Sequence, residues 1–346
     1  MSNPDSRYSR QTLYSEIGEK GQQRLLGSRV LLVGCGALGT VLANTLVRSG
    51  LGHLLICDRD YIELNNLQRQ VLFDEDDIAE GLPKAVAAAR KLRRINREVQ
   101  VQAQVTDVNH TNIERLAAGA DLLLDGTDNF ETRFLINDLA VKTSRPWVYG
   151  AVIGATGLCM AIVPHDTPCL RCVFEEAPPP QSNPTCDTAG VLGPVVNVIA
   201  GLQAMEAMKI LSGRLDALNR HLITVDLWSS RIKNTSVQSA HEHNRCPCCK
   251  QHRFDYLDGR IGSSTTTLCG RNAVQVSAPV DTEIDFGVLA EKLRSVARGE
   301  VVENRFMVRC TIGDHNITVF ADGRAIVEGT ADPDTARTIY AKYIGA

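Results

Sequence analysis

The sequence predicts an α/β protein: a Rossmann-like, parallel-rich sheet with helices on both faces, followed by a small α+β C-terminal domain. Three observations carry this expectation. An apolar run, Arg29 to Val33, leads into a glycine turn and a helical stretch; strand and helix patterns then alternate up to about Gly150; and a polar, Gly/Ser/Thr-rich stretch from Asp258 to Thr267 separates a differently patterned tail. Alternation of short apolar runs with helical segments is the rhythm of a parallel sheet wound with helices.

The elements follow in order. After the helix expected at Leu38 to Arg48, a second strand, His53 to Cys57, ends at Asp58, and Pro83 opens the helical run KAVAAARKLRRI, proline being favoured in a first turn. Strands are expected at 98–104, 121–125 and 146–150, with helices near 109–118 and 129–142 between them. Beyond Gly150, glycine-spaced apolar segments, a proline-rich crossover (Ala177 to Pro180) and an apolar helix from Val195 to Leu211 read as the second half of the sheet. The domain organisation expected is 1–257 for the nucleotide-binding domain, 258–267 for a linker and 268–346 for the small domain. The last contains a strand at Val274, a helix from Ile284 to Val296, two strands joined at Asp322-Gly323, and a helix opened by Asp332-Pro333.

Bulk composition narrows the function classes. The 346 residues carry a formal charge of −3, so nothing in the balance points to nucleic acid or an anionic membrane, and any anion site must be local. The first residues lack the apolar core of a signal peptide, no stretch reads as a membrane span, and a cytoplasmic protein is expected. Eleven cysteines in such a chain imply reduced thiols, whose clustering means metal binding or chemistry rather than disulfides.

Gly34-Cys35-Gly36-Ala37-Leu38-Gly39 matches G-x-G-x-x-G between a strand and a helix, and Asp58 ends the next strand, where an acid suits a ribose hydroxyl. Backbone amides exposed by such glycines serve NAD, FAD and ATP alike. A nicotinamide-dependent oxidoreductase therefore stays open at this point, although no hydride-transfer site is visible. The run Asp58 to Gln70, DRDYIELNNLQRQ, followed by Leu82-Pro83-Lys84, reads differently. Fixed cations such as Arg69, a bidentate fork, and Lys84, at a helix start, suit a reaction in which a carboxylate approaches the α-phosphate of ATP and pyrophosphate leaves. Asp128, just past a strand's carboxyl end, can hold a magnesium ion that bridges phosphates.

These motifs, with Arg7 to Gln11, Asp125 to Asn129, Ala189-Gly190-Val191 and Leu202 to Ala207, make residues 7 to 250 resemble the ThiF/MoeB/HesA family, bacterial relatives of the ubiquitin-activating enzymes. The resemblance implies ATP-dependent adenylation of the C-terminal Gly-Gly carboxylate of a ubiquitin-fold sulfur-carrier protein. It implies nucleotide contacts from Gly34, Gly36, Ala37, Gly39, Asp58, Asp60, Asn65, Asn66, Leu67, Gln68, Arg69, Lys84, Asp128 and Asn129. Arg10 is expected to reach a neighbour's nucleotide across a homodimer.

Cys169-Leu170-Arg171-Cys172 and Cys246-Pro247-Cys248-Cys249 are two CxxC pairs, the arrangement of a closed, structural zinc site made of four cysteines. Either Cys248 or Cys249 could be the fourth ligand; CxxC spacing and the family's C-P-x-C pattern favour Cys249. Cys186 lies where relatives hold a cysteine used in some branches for sulfur or acyl transfer. It is open between a thioester, a disulfide or persulfide relay, and no essential role. Cys35, Cys57, Cys159 and Cys310 read as small buried hydrophobes. Longer relatives end in a rhodanese domain, but the tail here, of about eighty residues with one arginine in Cys269-Gly270-Arg271, is too short for one. Sulfur is then expected from a separate donor such as a cysteine desulfurase. The carrier, of the thiamine or the molybdopterin pathway, is left open, with Cys186 to Pro194 resembling the thiamine branch somewhat more.

Overall fold

The computed structural model describes residues 7–176, 189–243, 245–261, 265–268, 272–276 and 284–344. The chain divides into two compact units, Met1–Ile261 and Gly262–Ala346.

The first unit is built on an eight-stranded sheet. Its strands are β1 (Arg29–Val33), β2 (His53–Asp58), β3 (Gln100–Val105), β4 (Leu122–Asp125), β5 (Trp147–Ile153), β6 (Thr156–Ile162), β7 (His221–Asp226) and β8 (Arg231–Ser236), in the order β3-β2-β1-β4-β5-β6-β7-β8. β1 pairs in parallel with β2 and β4, β2 with β3, and β4 with β5. From β5 onward the pairings are antiparallel. The order therefore reverses between β1 and β4, and in an open sheet of this kind ligands bind outside the strand carboxyl ends at that reversal.

Helices cover both faces. On one, Ala37–Arg48, Lys84–Ile95 and Gly193–Ser212 pack on the strands and on one another. On the other, Ile113, Leu116, Phe134 and Leu139 bury the inward side chains of β1, β4 and β5, including Leu31, Val33, Leu123, Trp147 and Tyr149. Gly193–Ser212 is long and apolar enough to cross a membrane by length and composition, but it lies against β5, β6 and Ala37–Arg48, as a core helix does.

Two departures from the expected elements have a local physical cause. The helix expected near 109–118 is one turn, Ile113–Leu116, because Gly119, at φ 74°, turns the chain out of it. Pro83 precedes the helix rather than occupying its first turn: at ψ 144° it caps Lys84–Ile95, and the amide of Lys84 donates to the carbonyl of Asp60 at 2.9 Å.

The second unit is a six-stranded antiparallel sheet. Its strands, β9 (Thr265–Leu268), β10 (Ala273–Val276), β11 (Val302–Glu303), β12 (Met307–Ile312), β13 (His315–Phe320) and β14 (Ala325–Glu328), lie in the order β11-β12-β13-β14-β10-β9. Phe286–Arg294 and Pro333–Tyr343, capped by Asp285 and Asp332, supply Leu289, Leu293, Ala336 and Tyr340 to its core. The hairpin β13–β14 contains the expected Asp322-Gly323 turn, whereas β9, β11 and β12 are additional to the sequence reading.

Candidate active site

The carboxyl ends of β1 and β4 meet through glycines. Gly34 sits at φ 88°, and a Cβ there would lie 2.6 Å from the carbonyl carbon of Gly126; one on Gly126 or Gly39 would fall 2.3 or 2.1 Å from the Gly34 carbonyl oxygen. These three positions admit no side chain. Gly36 is different, since a Cβ there would meet nothing closer than the Gln70 amide at 3.9 Å. No packing constraint demands glycine at Gly36, and the open space beside it suits the close approach of a phosphate. Ala37–Arg48 starts directly after it with no side-chain cap, leaving first-turn amides for an anion.

Asp58 ends β2 with its carboxylate buried. One oxygen accepts from the amide of Cys35 (2.6 Å) and the other from that of Asp60 (2.7 Å), which ties the glycine loop to the chain after β2. Burial raises the pKa of Asp58, and the charge of Lys84 acts against that rise. Lys84 is 3% exposed, and its Nζ lies 3.2 Å from Asp60 Oδ2. Arg59 pairs with Asp107 at 3.0 Å; burial opposes its charge, and Asp107, Asp60 and Asp128 together keep it ionised.

Asp128 stands exposed just beyond β4, within the field of Arg59 and Arg133, and Asn129 caps the next helix by accepting from the Thr132 amide at 2.9 Å. Asn66 is buried, its amide bridging Glu63 N (3.2 Å) and Asn65 Oδ1 (2.6 Å), while Asn65 and Gln68 are exposed and Leu67 is half-buried. Arg69 curls back to the carbonyl of Asn65 at 2.7 Å. The fold thus gathers the glycine loop, Asp58, Asp60, Lys84 and Gly126 to Asn129 around one switch point, with Asn65 to Arg69 on the segment that ends at Gln70 beside Gly36.

Arg10 is not part of this group within one chain. Its neighbour Gln11 bonds the carbonyl of Ser49 at 2.9 Å, at the far end of Ala37–Arg48, about 18 Å of helix from the glycine loop. Cys186 lies outside the described residues.

Sulfurs form a second centre. Cys169, Cys172, Cys246 and Cys249 bring their Sγ atoms within 4.8 Å of one another. Individual separations are 3.9 Å (Cys169–Cys172), 3.5 Å (Cys169–Cys246) and 3.4 Å (Cys172–Cys249). Tetrahedral zinc with bonds of about 2.3 Å spaces its sulfurs about 3.8 Å apart, so the cluster is compatible with zinc. Hydrogen bonds from the other thiols, Cys172 first, hold Cys169 below the ordinary thiol range. Cys248 turns instead to helix Phe130–Lys142, where Asn137 Nδ2 donates to its sulfur at 3.3 Å.

A family model described as "ThiF family" matches residues 8–248. The chain belongs to the ThiF family. It is 42% identical over 339 residues to the sulfur carrier protein ThiS adenylyltransferase of Bacillus subtilis (strain 168), covering 98% of this chain and 99% of that one. The Escherichia coli (strain K12) protein of the same description is 38% identical over 244 residues, 70% of this chain and 94% of that one. Among solved structures, the chain is similar to E. coli MccB crystallised with ATP, at a TM-score of 0.59 and 26% identity, covering 71% of this chain and 74% of that one. These relatives do not favour the oxidoreductase alternative.

Three residues of this ThiF-family site escape sequence reasoning. Arg133 is buried, its Nε 3.0 Å from Asp125 Oδ2, and its Nη2 donates to the carbonyls of Thr127 (2.8 Å) and Gly150 (3.2 Å). Gln203 donates to the carbonyl of Asp125 at 2.9 Å. Gln70 is 3% exposed, and its Oε1 has no hydrogen-bond partner among the described residues. Gln70 and Gln203 stand inside motifs quoted from the sequence, but no role was assigned to them, and Arg133 stands outside every such motif.

Proposed function

We propose that this chain uses ATP to adenylate the C-terminal carboxylate of a ubiquitin-fold sulfur-carrier protein. The observation that carries the reading is the near full-length similarity to a ThiS adenylyltransferase, joined to a glycine loop that is open beside Gly36 at the same switch point as the buried Lys84. A carboxylate oxygen of the carrier bonds to the α-phosphorus, the α–β anhydride breaks, and pyrophosphate departs. No protein nucleophile is needed, so the enzyme's work is placement and charge. Lys84 and Arg69 offset phosphate charge; Asp58 addresses the ribose; Asp128 would hold Mg2+, which would supply positive charge to offset that of the phosphates. Gly34, Gly36, Ala37, Gly39, Asp60, Asn65, Asn66, Leu67, Gln68 and Asn129 complete the nucleotide contacts in this reading.

The four cysteines hold a structural Zn2+, consistent with a reducing, cytoplasmic setting. Because Gln11, beside Arg10, is anchored a helix length from the chain's own glycine loop, a homodimer in which Arg10 completes the neighbour's site is part of the proposal. The similarity to ThiS adenylyltransferases supports a ThiS-like carrier and thus the thiamine branch, with sulfur supplied by a separate donor. ATP–pyrophosphate exchange tests the reading: carriers ending in Gly-Gly should stimulate it strongly, and exchange that stays at background with ThiS-like and MoaD-like carriers sinks it. Cys186→Ala should exchange normally in that assay, while sulfur delivery to the carrier, measured separately, slows; wild-type delivery would mean that the thiol has no essential role.

A further inference from the structure

The four-cysteine centre has a neighbour that its ligand spacing does not reveal. His241, half-buried on the short helix Gln238–His243, places Nδ1 3.4 Å from Cys172 Sγ and 3.9 Å from Cys249 Sγ. It stands outside the set of sulfurs that converge within 4.8 Å. It lies on the edge joining one ligand from each CxxC pair, and that edge includes Cys249, the least buried of the four.

Chemistry fixes what a ring nitrogen can do there. A thiolate bound to a divalent cation has lost its proton and can only accept, so a nitrogen at this distance must carry the hydrogen. Loading the site therefore selects the Nδ1–H tautomer of His241. Four thiolates and one divalent cation leave a net charge of −2 in a largely buried pocket, and hydrogen bonds to the sulfurs offset part of that excess.

We propose that His241 is a positioning residue of the metal centre, donating Nδ1–H to Cys172 and Cys249 and so pinning the two CxxC segments together around the ion. The proposal rests on the zinc reading above. The test uses the full-length protein loaded with Zn2+, and separately with Co2+, comparing wild type with His241→Phe, His241→Ala and His241→Gln. Loss of the donor should speed release of zinc to a chromophoric chelator about tenfold. It should also move the thiolate-to-cobalt charge-transfer band to lower energy, because the sulfur electrons lose a stabilising proton. Glutamine, which can donate from the same direction, should restore both readouts most of the way. Phe and Ala variants with wild-type release rates and an unmoved band overturn the proposal. X-ray absorption showing three sulfurs and one nitrogen on wild-type zinc also overturns it, since His241 would then be a ligand. A wild-type chain that takes up no metal overturns the four-cysteine reading and this inference together.

Discussion

In the proposed nucleotide site, Lys84 shows how much rests on one buried amine. Its backbone amide and its ammonium both hold Asp60, at 2.9 and 3.2 Å. Asp58, buried nearby, feels Lys84 as the charge that limits its upward shift and Asp60 as one that adds to it. Lys84→Met should therefore do two separable things. Pyrophosphate exchange should fall at least about 100-fold, as expected when a fixed donor to developing charge is removed. Stability should fall more at neutral pH than below about pH 4, because a carboxyl with a raised pKa opposes folding once it ionises, and the compensating cation is gone. Urea midpoints at the two pH values check the second effect; equal losses at both would show that Lys84 does not neutralise these carboxylates. Lys84→Arg should not rescue exchange, since a wide, planar guanidinium does not reproduce a compact point charge held in a pocket that leaves the side chain 4% exposed.

At the scale of an element, helix Phe130–Lys142 joins the two centres. Its first turn is capped by Asn129 and pinned by Arg133 to Asp125, while Asn137 accepts from the Leu170 amide (2.8 Å) and Asp138 from that of Tyr256 (3.0 Å). Phe134 stacks on Tyr256 with ring centroids 5.0 Å apart. Arg133→Met leaves Asp125 charged and fully buried, and should cost about 3–5 kcal/mol in denaturant unfolding. Adding Asp125→Asn should recover a large part of that, because the uncompensated charge rather than the missing contact dominates the loss. A double variant no more stable than Arg133→Met would contradict this.

The same helix shows where sequence reading stops. Its existence was legible from length and flanking turns, but residues Arg133 to Val141 are buried all round, so the polar Arg133, Asn137 and Asp138 face partners and not water. A polar residue inside a helical run reads as an exposed position, and only the placement of β4 and the CxxC segments reverses that. Strand β1 and its glycine loop were legible because the apolar run and the G-x-G-x-x-G spacing are local patterns, although the close approach that demands glycine at Gly34 comes from Gly126, far along the chain.

Across the whole molecule, the parallel half of the first sheet followed from the strand–helix rhythm, whereas the direction of β6 to β8 did not. Gly154 and Ala155 leave β5 and β6 only a tight connection, and a connection that short permits antiparallel pairing alone. The two compact units also locate the influence that the proposed zinc would have. All four clustered sulfurs belong to the first unit, and the second has its own core of Val274, Ile317, Val319 and Leu289. Chelation should therefore be read segment by segment with amide hydrogen exchange. Protection should fall at 168–174 and 246–257, and along the second half of Phe130–Lys142 through Asn137 and Asp138. It should hold in β12 to β14. The glycine loop should change little, because Asn129 and Arg133 fix the near end of that helix independently of the cysteines, and ATP affinity should stay within about threefold while thermal stability drops. Exchange that accelerates evenly through both units, or a loss of ATP affinity larger than the loss of stability, would mean that the four cysteines do more than tie the first unit together.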